Sequence, residues 1–164
     1  MKKLSVLALP FLLAACGLQP MYAGGGRGVV AQGLAGIDVS PIEGKSGWLV
    51  RNALNDRLGA ATSDSGTPRY RLDIRLDDKL EGLALLSNDT IGRERRTLRA
   101  RYQLVDLGSG QILLDASDGS DAGIDVVSSE YATIAAENTA LENLAKDVAD
   151  RIVTKVALQL RKQQ

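Results

Sequence analysis

Histidine is absent from the 164 residues, cysteine occurs once, and aromatic side chains make up only 4% of the chain. Without imidazole or a second thiol, the usual transition-metal ligand sets, the Ser-His-Asp and Cys-His nucleophile systems and the commonest general base are all excluded. No metal site, no catalytic residue and no cofactor is therefore expected. A carboxylate-only hydrolase stays formally open, but the acids are scattered and no pair is opposed by the pattern. The lone thiol also excludes an intrachain disulfide, so stability must come from packing. Charge of one sign is missing too: 20 basic residues meet 20 acidic ones, and no global field marks a nucleic-acid binder.

Long hydrophobic runs are equally scarce. The one at residues 4–13 is about half of the roughly 20 residues a spanning helix needs. It follows Lys2 and Lys3 and leads into Leu13-Ala14-Ala15-Cys16, so residues 1–15 read as a lipoprotein signal peptide ending before the single cysteine. The mature chain is then expected to start at Cys16 with covalent lipid as its only added group. Each buried methylene contributes about 0.8 kcal/mol and one acyl chain holds only marginally, so stable anchoring takes at least two chains, palmitate-like in length. The alternative is an ordinary secretion signal followed by a free cysteine. With Gly17 next, rather than an aspartate, the start resembles bacterial lipoproteins sorted to the outer membrane. Processing removes Lys2 and Lys3, leaving 18 basic residues against 20 acidic ones and a net charge of −2.

The remaining 149 residues suit one domain with a single two-layer core. Residues 16–35, with Gly24-Gly25-Gly26-Arg27-Gly28, read as a lipidated flexible tether, and 36–164 as the domain. Ile37-Asp38-Val39 alternates as a short strand. Ser46 is placed to cap a helix through Trp48, Val50, Ala53, Leu54 and Leu58, with Gly59 as its stop and Trp48 as a core anchor. Gly44-Lys45-Ser46 looks like the end of a phosphate-binding loop. However, the glycine required five residues earlier is Val39, and Pro41 removes an amide from the cradle, so a polar turn is the better reading.

Tyr70, Leu72, Ile74 and Leu76 alternate with Arg71, Asp73, Arg75 and Asp77, the period-two signature of a strand with one buried face. Leu98, Ala100, Tyr102 and Leu104 repeat it, and the stretch from Leu83 to Thr90 joins the two strands as a long hairpin. Gly108-Ser109-Gly110 marks a turn before a third strand at residues 111–116, which continues past Gly119 only as an irregular edge. The period then changes. Ser128 or Ser129 caps a long helix with an apolar stripe at Ile134, Leu141, Leu144, Val148, Ile152, Val156 and Leu160. The order β-α-β-β-β-α, without internal repeat, predicts an α+β two-layer sandwich in which two helices pack on one face of a four-stranded, mainly antiparallel sheet.

The other face is left outward, and parity puts Arg93, Arg95, Arg99 and Arg101 on it. Guanidinium forks suit phosphate or carboxylate, so the row fits an anionic partner. Asp73 and Asp77 pairing across the hairpin would instead make it a solvated charge ladder of small energetic value. No aromatics interleave, which argues against single-stranded nucleic acid. Leu83, Leu85 and Leu86 near the hairpin tip either contact a partner or fold onto a helix end.

Four segments carry a family resemblance: Leu13-Ala14-Ala15-Cys16-Gly17-Leu18, the run from Leu49 to Leu58, the hairpin from Tyr70 to Val105, and the run from Ala145 to Ile152. In their order and in overall length the chain resembles the LptE family of lipopolysaccharide-assembly outer-membrane lipoproteins, also called rare lipoprotein B. The resemblance implies a sheet with two helices seated as a plug in a large outer-membrane β-barrel of the LptD type, where the pair places lipopolysaccharide in the outer leaflet. Partners would then be the barrel, lipopolysaccharide and the membrane that holds the lipid anchor, with no nucleic acid. The alternative is an auxiliary lipoprotein of a periplasmic transport complex that binds protein partners only.

Overall fold

The computed structural model describes residues 29–59, 67–85 and 91–163. Cys16 and the proposed signal peptide lie outside them. The elements run α1 (Val29–Ala35), β1 (Ile37–Val39), α2 (Gly44–Gly59), β2 (Tyr70–Leu85), β3 (Ile91–Asp106), β4 (Ile112–Asp125) and α3 (Glu130–Lys162). The sheet order is β1-β2-β3-β4. Both hairpin pairings are antiparallel, whereas β1 lies parallel to β2 over three residue pairs. The expected α+β sandwich is therefore present, with a mixed sheet and one additional helix.

That helix is α1, and it shortens the expected tether. Ala31 and Leu34 are buried, and a side chain at Gly33 would press on Leu160 of α3 at 3.1 Å. Residues 29–35, read together with Gly24-Gly25-Gly26-Arg27-Gly28 as part of a flexible tether, thus belong to the packed body, because Val30, Ala31 and Leu34 have a helix end to cover.

The core is what the alternation implies. Tyr70, Leu72 and Ile74 of β2 and Leu98, Ala100, Tyr102 and Leu104 of β3 point under the helices, meeting Val50, Leu54 and Leu58 of α2 and a stripe from Leu141 to Leu160 on α3. Lys45 bonds Asn138 and Arg57 bonds Asp150, so α2 and α3 run side by side in the same direction. About 24 Å of α2 lies beside about 50 Å of α3. The first two turns of α3 pass beyond the start of α2, which is why Ile134 is 47% exposed instead of joining the buried stripe. No helix among the described residues is long and apolar enough to cross a membrane.

Two local readings change in α2. The helix starts at Gly44, whose φ of 79° suits glycine, so Ser46 sits in the first turn and not before it. Trp48 is 63% exposed and does not anchor the core. The buried positions are Gly47, Val50, Ala53, Leu54 and Leu58, and Gly47 takes the inward place because a Cβ there would meet the Ile42 carbonyl oxygen at 2.5 Å.

Polar ties close the layers. The Tyr102 hydroxyl donates to Asp118 at 2.7 Å, and Lys155 of α3 holds the other oxygen of Asp118 at 2.9 Å. Burial and this carboxylate push the Tyr102 hydroxyl far above its ordinary range. On the edge strand β4, Gln159 donates to the Leu113 carbonyl at 2.7 Å and Lys155 to that of Ser117 at 3.4 Å. Side chains of α3 thereby occupy backbone acceptors that an edge would otherwise offer to another strand.

Candidate functional site: the uncovered sheet face

All described helices lie on one side of the sheet, and none of them covers the opposite side. Outward positions are Arg71, Asp73, Arg75, Asp77, Lys79 and Glu81 on β2, and Arg93, Arg95, Thr97, Arg99, Arg101 and Gln103 on β3. β4 adds Asp115, Ser117, Gly119, Asp121, Gly123 and Asp125. Arg93, Arg95, Arg99 and Arg101 are all exposed, whereas Leu98, Ala100, Tyr102 and Leu104 between and beside them are buried.

The charge on this face differs from the sequence reading. Asp73 and Asp77 do not cross the hairpin to the β3 arginines. Asp73 is held by Arg71 at 3.0 Å and by the Ser40 hydroxyl at 2.6 Å, and Asp77 pairs with Lys79 at 3.1 Å. The Ser40 bond, then Arg71, holds the Asp73 carboxyl below its usual range. The opposing charge comes from β4 instead. Asp115 binds Arg101 at 3.2 Å and also accepts from Gln103, and both bonds lower its carboxyl pKa. Asp125 stands 3.6 Å from Arg93. Charges on β2 cancel, so four β3 arginines against Asp115, Asp121 and Asp125 leave +1 on the whole face.

Within that near balance the charge is uneven. Arg75 and Arg101 are direct cross-strand partners, and Arg99 occupies the next outward place on β3. Among the described residues neither Arg75 nor Arg99 has an ion pair or a side-chain hydrogen bond. Arg75, Asp77, Arg99, Arg101, Ser117 and Gly119 border one shallow depression. A second, adjoining one, bordered by Ser40, Asp73 and Gln103, shares Arg75 and Arg101. Arg95 is also unpaired, with Glu81 as its cross-strand neighbour; that of Arg99 is Asp77, which differs in being held by Lys79 at 3.1 Å.

Sequence reasoning missed three parts of this site. Arg75 was set aside as cancelled by its strand neighbours, although β2 and β3 pair symmetrically about position 88 up to Gly82, and centring the turn there would have found its partner Arg101. Asp121 and Asp125 were missed because the Asp-, Ser- and Gly-rich half of β4 carries no apolar alternation. Arg96 was not considered: its odd neighbours face out while it turns inward, forming a two-point bond to Asp78 at 2.8 and 2.9 Å and reaching the Glu137 carbonyl at 3.4 Å. Near the tip, Leu83 is 45% exposed. Leu86 and the side chain of Leu85 lie outside the described residues.

A mixed four-stranded sheet with its long helices on one face and the other face open defines a two-layer α+β domain of the kind found in small bacterial lipoproteins. The chain belongs to the LptE family, described as lipopolysaccharide-assembly, whose profile matches residues 34–156. Among solved structures it is similar to a lipoprotein from Caulobacter crescentus CB15, with 23% identity and a TM-score of 0.68 over 84% of this chain and 98% of that one. It is also similar to rare lipoprotein B from Shewanella oneidensis, with 15% identity and a TM-score of 0.54 over 78% and 97%. Lipoprotein B from Nitrosomonas europaea matches with 14% identity and a TM-score of 0.56 over 75% and 86%. At these identities the likeness speaks for the fold. No curated protein matches the chain.

Proposed function

We propose that the mature chain is lipidated at Cys16, held in the outer membrane, and acts by binding rather than by chemistry as a subunit of the lipopolysaccharide translocon. In this reading it seats in and helps assemble an LptD-type β-barrel, and its uncovered sheet face meets lipopolysaccharide or the barrel wall. The observation that carries the reading is a sheet face that no described helix covers, in a chain of a lipopolysaccharide-assembly family. Gentle detergent extraction should recover the lipoprotein with a large outer-membrane barrel, and depletion should lower surface lipopolysaccharide. A lipoprotein-only particle together with unchanged surface lipopolysaccharide would count against the proposal.

One observation favours the second reading, an auxiliary lipoprotein with protein partners only: the outer face totals +1, not the +4 of the β3 arginines taken alone. Binding of purified lipopolysaccharide separates the two. Salt-sensitive binding that is lost when Arg93, Arg95, Arg99 and Arg101 become glutamate supports the translocon role. Barrel-free complexes and no lipopolysaccharide binding support the alternative.

A further inference from the structure

The outer face is neither uniformly basic nor uniformly neutralised. Of its pairs of direct cross-strand partners on β2 and β3, only Arg75 and Arg101 place two like charges opposite one another, an arrangement that is unfavourable unless an anion relieves it. Arg101 has Asp115, while Arg75 and Arg99 have no ion pair among the described residues: Asp77, which stands directly across from Arg99, is held by Lys79, and Asp73 by Arg71.

Gly119 of β4 lies opposite Arg99. A Cβ at Gly119 would overlap the Arg99 side chain, standing 2.5 Å from its Nη1 and 2.8 Å from the Leu98 carbonyl oxygen. Arg99 therefore lies down across the edge strand in space that only glycine leaves, beside Ser117 and within the depression bordered by Arg75 and Arg101. Arg93 rests on Gly123 in a looser version of the same arrangement, with its Nη2 3.1 Å from the hypothetical Cβ, but it has Asp125 as partner.

We infer that Arg75, Arg99 and Arg101, on the floor that Gly119 leaves open, form a subsite for a phosphate monoester carried on a larger ligand. A phosphate dianion matches the two guanidiniums that make no ion pair, Asp77 opposite Arg99 being taken by Lys79, and offers three oxygens to the three forks; a carboxylate brings one charge and two oxygens. The inference rests on the reading that the uncovered face meets an anionic ligand. It narrows the contact from a row along β3 to a cluster across β2 and β3, bringing in Arg75 and leaving out Arg93.

The test uses the full mature chain in non-ionic detergent with arginine side chains isotopically labelled, titrated at low salt with glucose 1-phosphate, inorganic phosphate and acetate while the guanidinium NMR signals are followed. Glucose 1-phosphate should shift Arg75, Arg99 and Arg101 saturably, and Arg75→Gln or Arg99→Gln should weaken binding about tenfold, with Arg151→Gln, exposed on α3 on the other side of the sheet, changing it less than about twofold. Gly119→Val should weaken it while keeping every charge, with circular dichroism and the melting curve reporting whether the fold survives. Should Gly119→Val fail to fold, Gly119→Ala makes the same comparison. No saturable shift, or equal shifts with acetate, overturns the phosphate subsite. Inorganic phosphate binding as tightly as the sugar phosphate overturns the assignment to a larger ligand. Purified lipopolysaccharide provides the separate arm: binding that depends on Arg93 and Arg95 but not on Arg75 or Arg99 overturns the subsite and leaves the outer-face reading standing. Lipopolysaccharide binding indifferent to all five arginines removes both.

Discussion

Trp48 and Arg96 show how a single side chain departs from what its chemistry suggests. The only tryptophan is exposed at 63% because the buried stripe of α2 runs through Gly47, Val50, Leu54 and Leu58 and leaves position 48 on its flank. Trp48→Ala is expected to change unfolding free energy by less than about 0.5 kcal/mol in urea denaturation. Arg96 is the opposite case, a charge placed beneath α3 and held by Asp78, with side-chain exposures of 16% and 19%. Arg96→Ala leaves that carboxylate without its partner in a half-dry place, and a loss of about 1–3 kcal/mol is expected from the same measurement. Replacing both by Met and Leu should recover most of the loss, since a partly buried pair is costly to break and less costly to replace.

Among the elements, α2 and α3 are joined by a two-point contact of Arg57 with Asp150, one arm of it at 2.8 Å. The Arg57 bond lowers the Asp150 carboxyl pKa, as the Ser40 bond lowers that of Asp73. A carboxyl depressed in the folded state contributes stability above its unfolded value, near 4, and loses it as pH falls through the folded value. The urea midpoint should therefore be flat from pH 7 to about 5 and fall below about 4, and Asp150→Asn should remove part of that acid-side slope. The strands and helices themselves were legible in the sequence where burial imposes a period: two on β2 and β3, three and four on α2 and α3. The second half of β4 was not, because Gly119, Asp121 and Gly123 are poor strand formers held in place by pairing with β3. The first helix was hidden for a related reason, since seven residues form a helix only when a partner such as α3 covers them.

For the whole molecule, a core on one side of the sheet separates stability from surface chemistry. Leu144→Ala, on the buried side of α3, is expected to cost about 2–5 kcal/mol, whereas changing Arg95 and Arg99, which make no ion pair among the described residues, should move stability by no more than about 0.5 kcal/mol. Thermal melts of the two variants check the contrast. Comparable losses would mean that the outer face carries part of the fold. The uncovered face is thus free to vary with its partner while the helix-covered face keeps the domain together.

The sequence by itself determined which side chains of β2 and β3 face the core and which face outward, because alternation is a local property of a strand, and it determined the absence of imidazole chemistry and of an intrachain disulfide. Only the tertiary structure decided which arginines remain available. Arg101 and Arg93 find aspartates on β4, Arg96 turns inward to Asp78, and Arg75 and Arg99 are left beside one another. That outcome depends on the register between strands far apart in the chain, and electrostatic pairing reaches only a few ångströms, so no pattern within a single segment contains it.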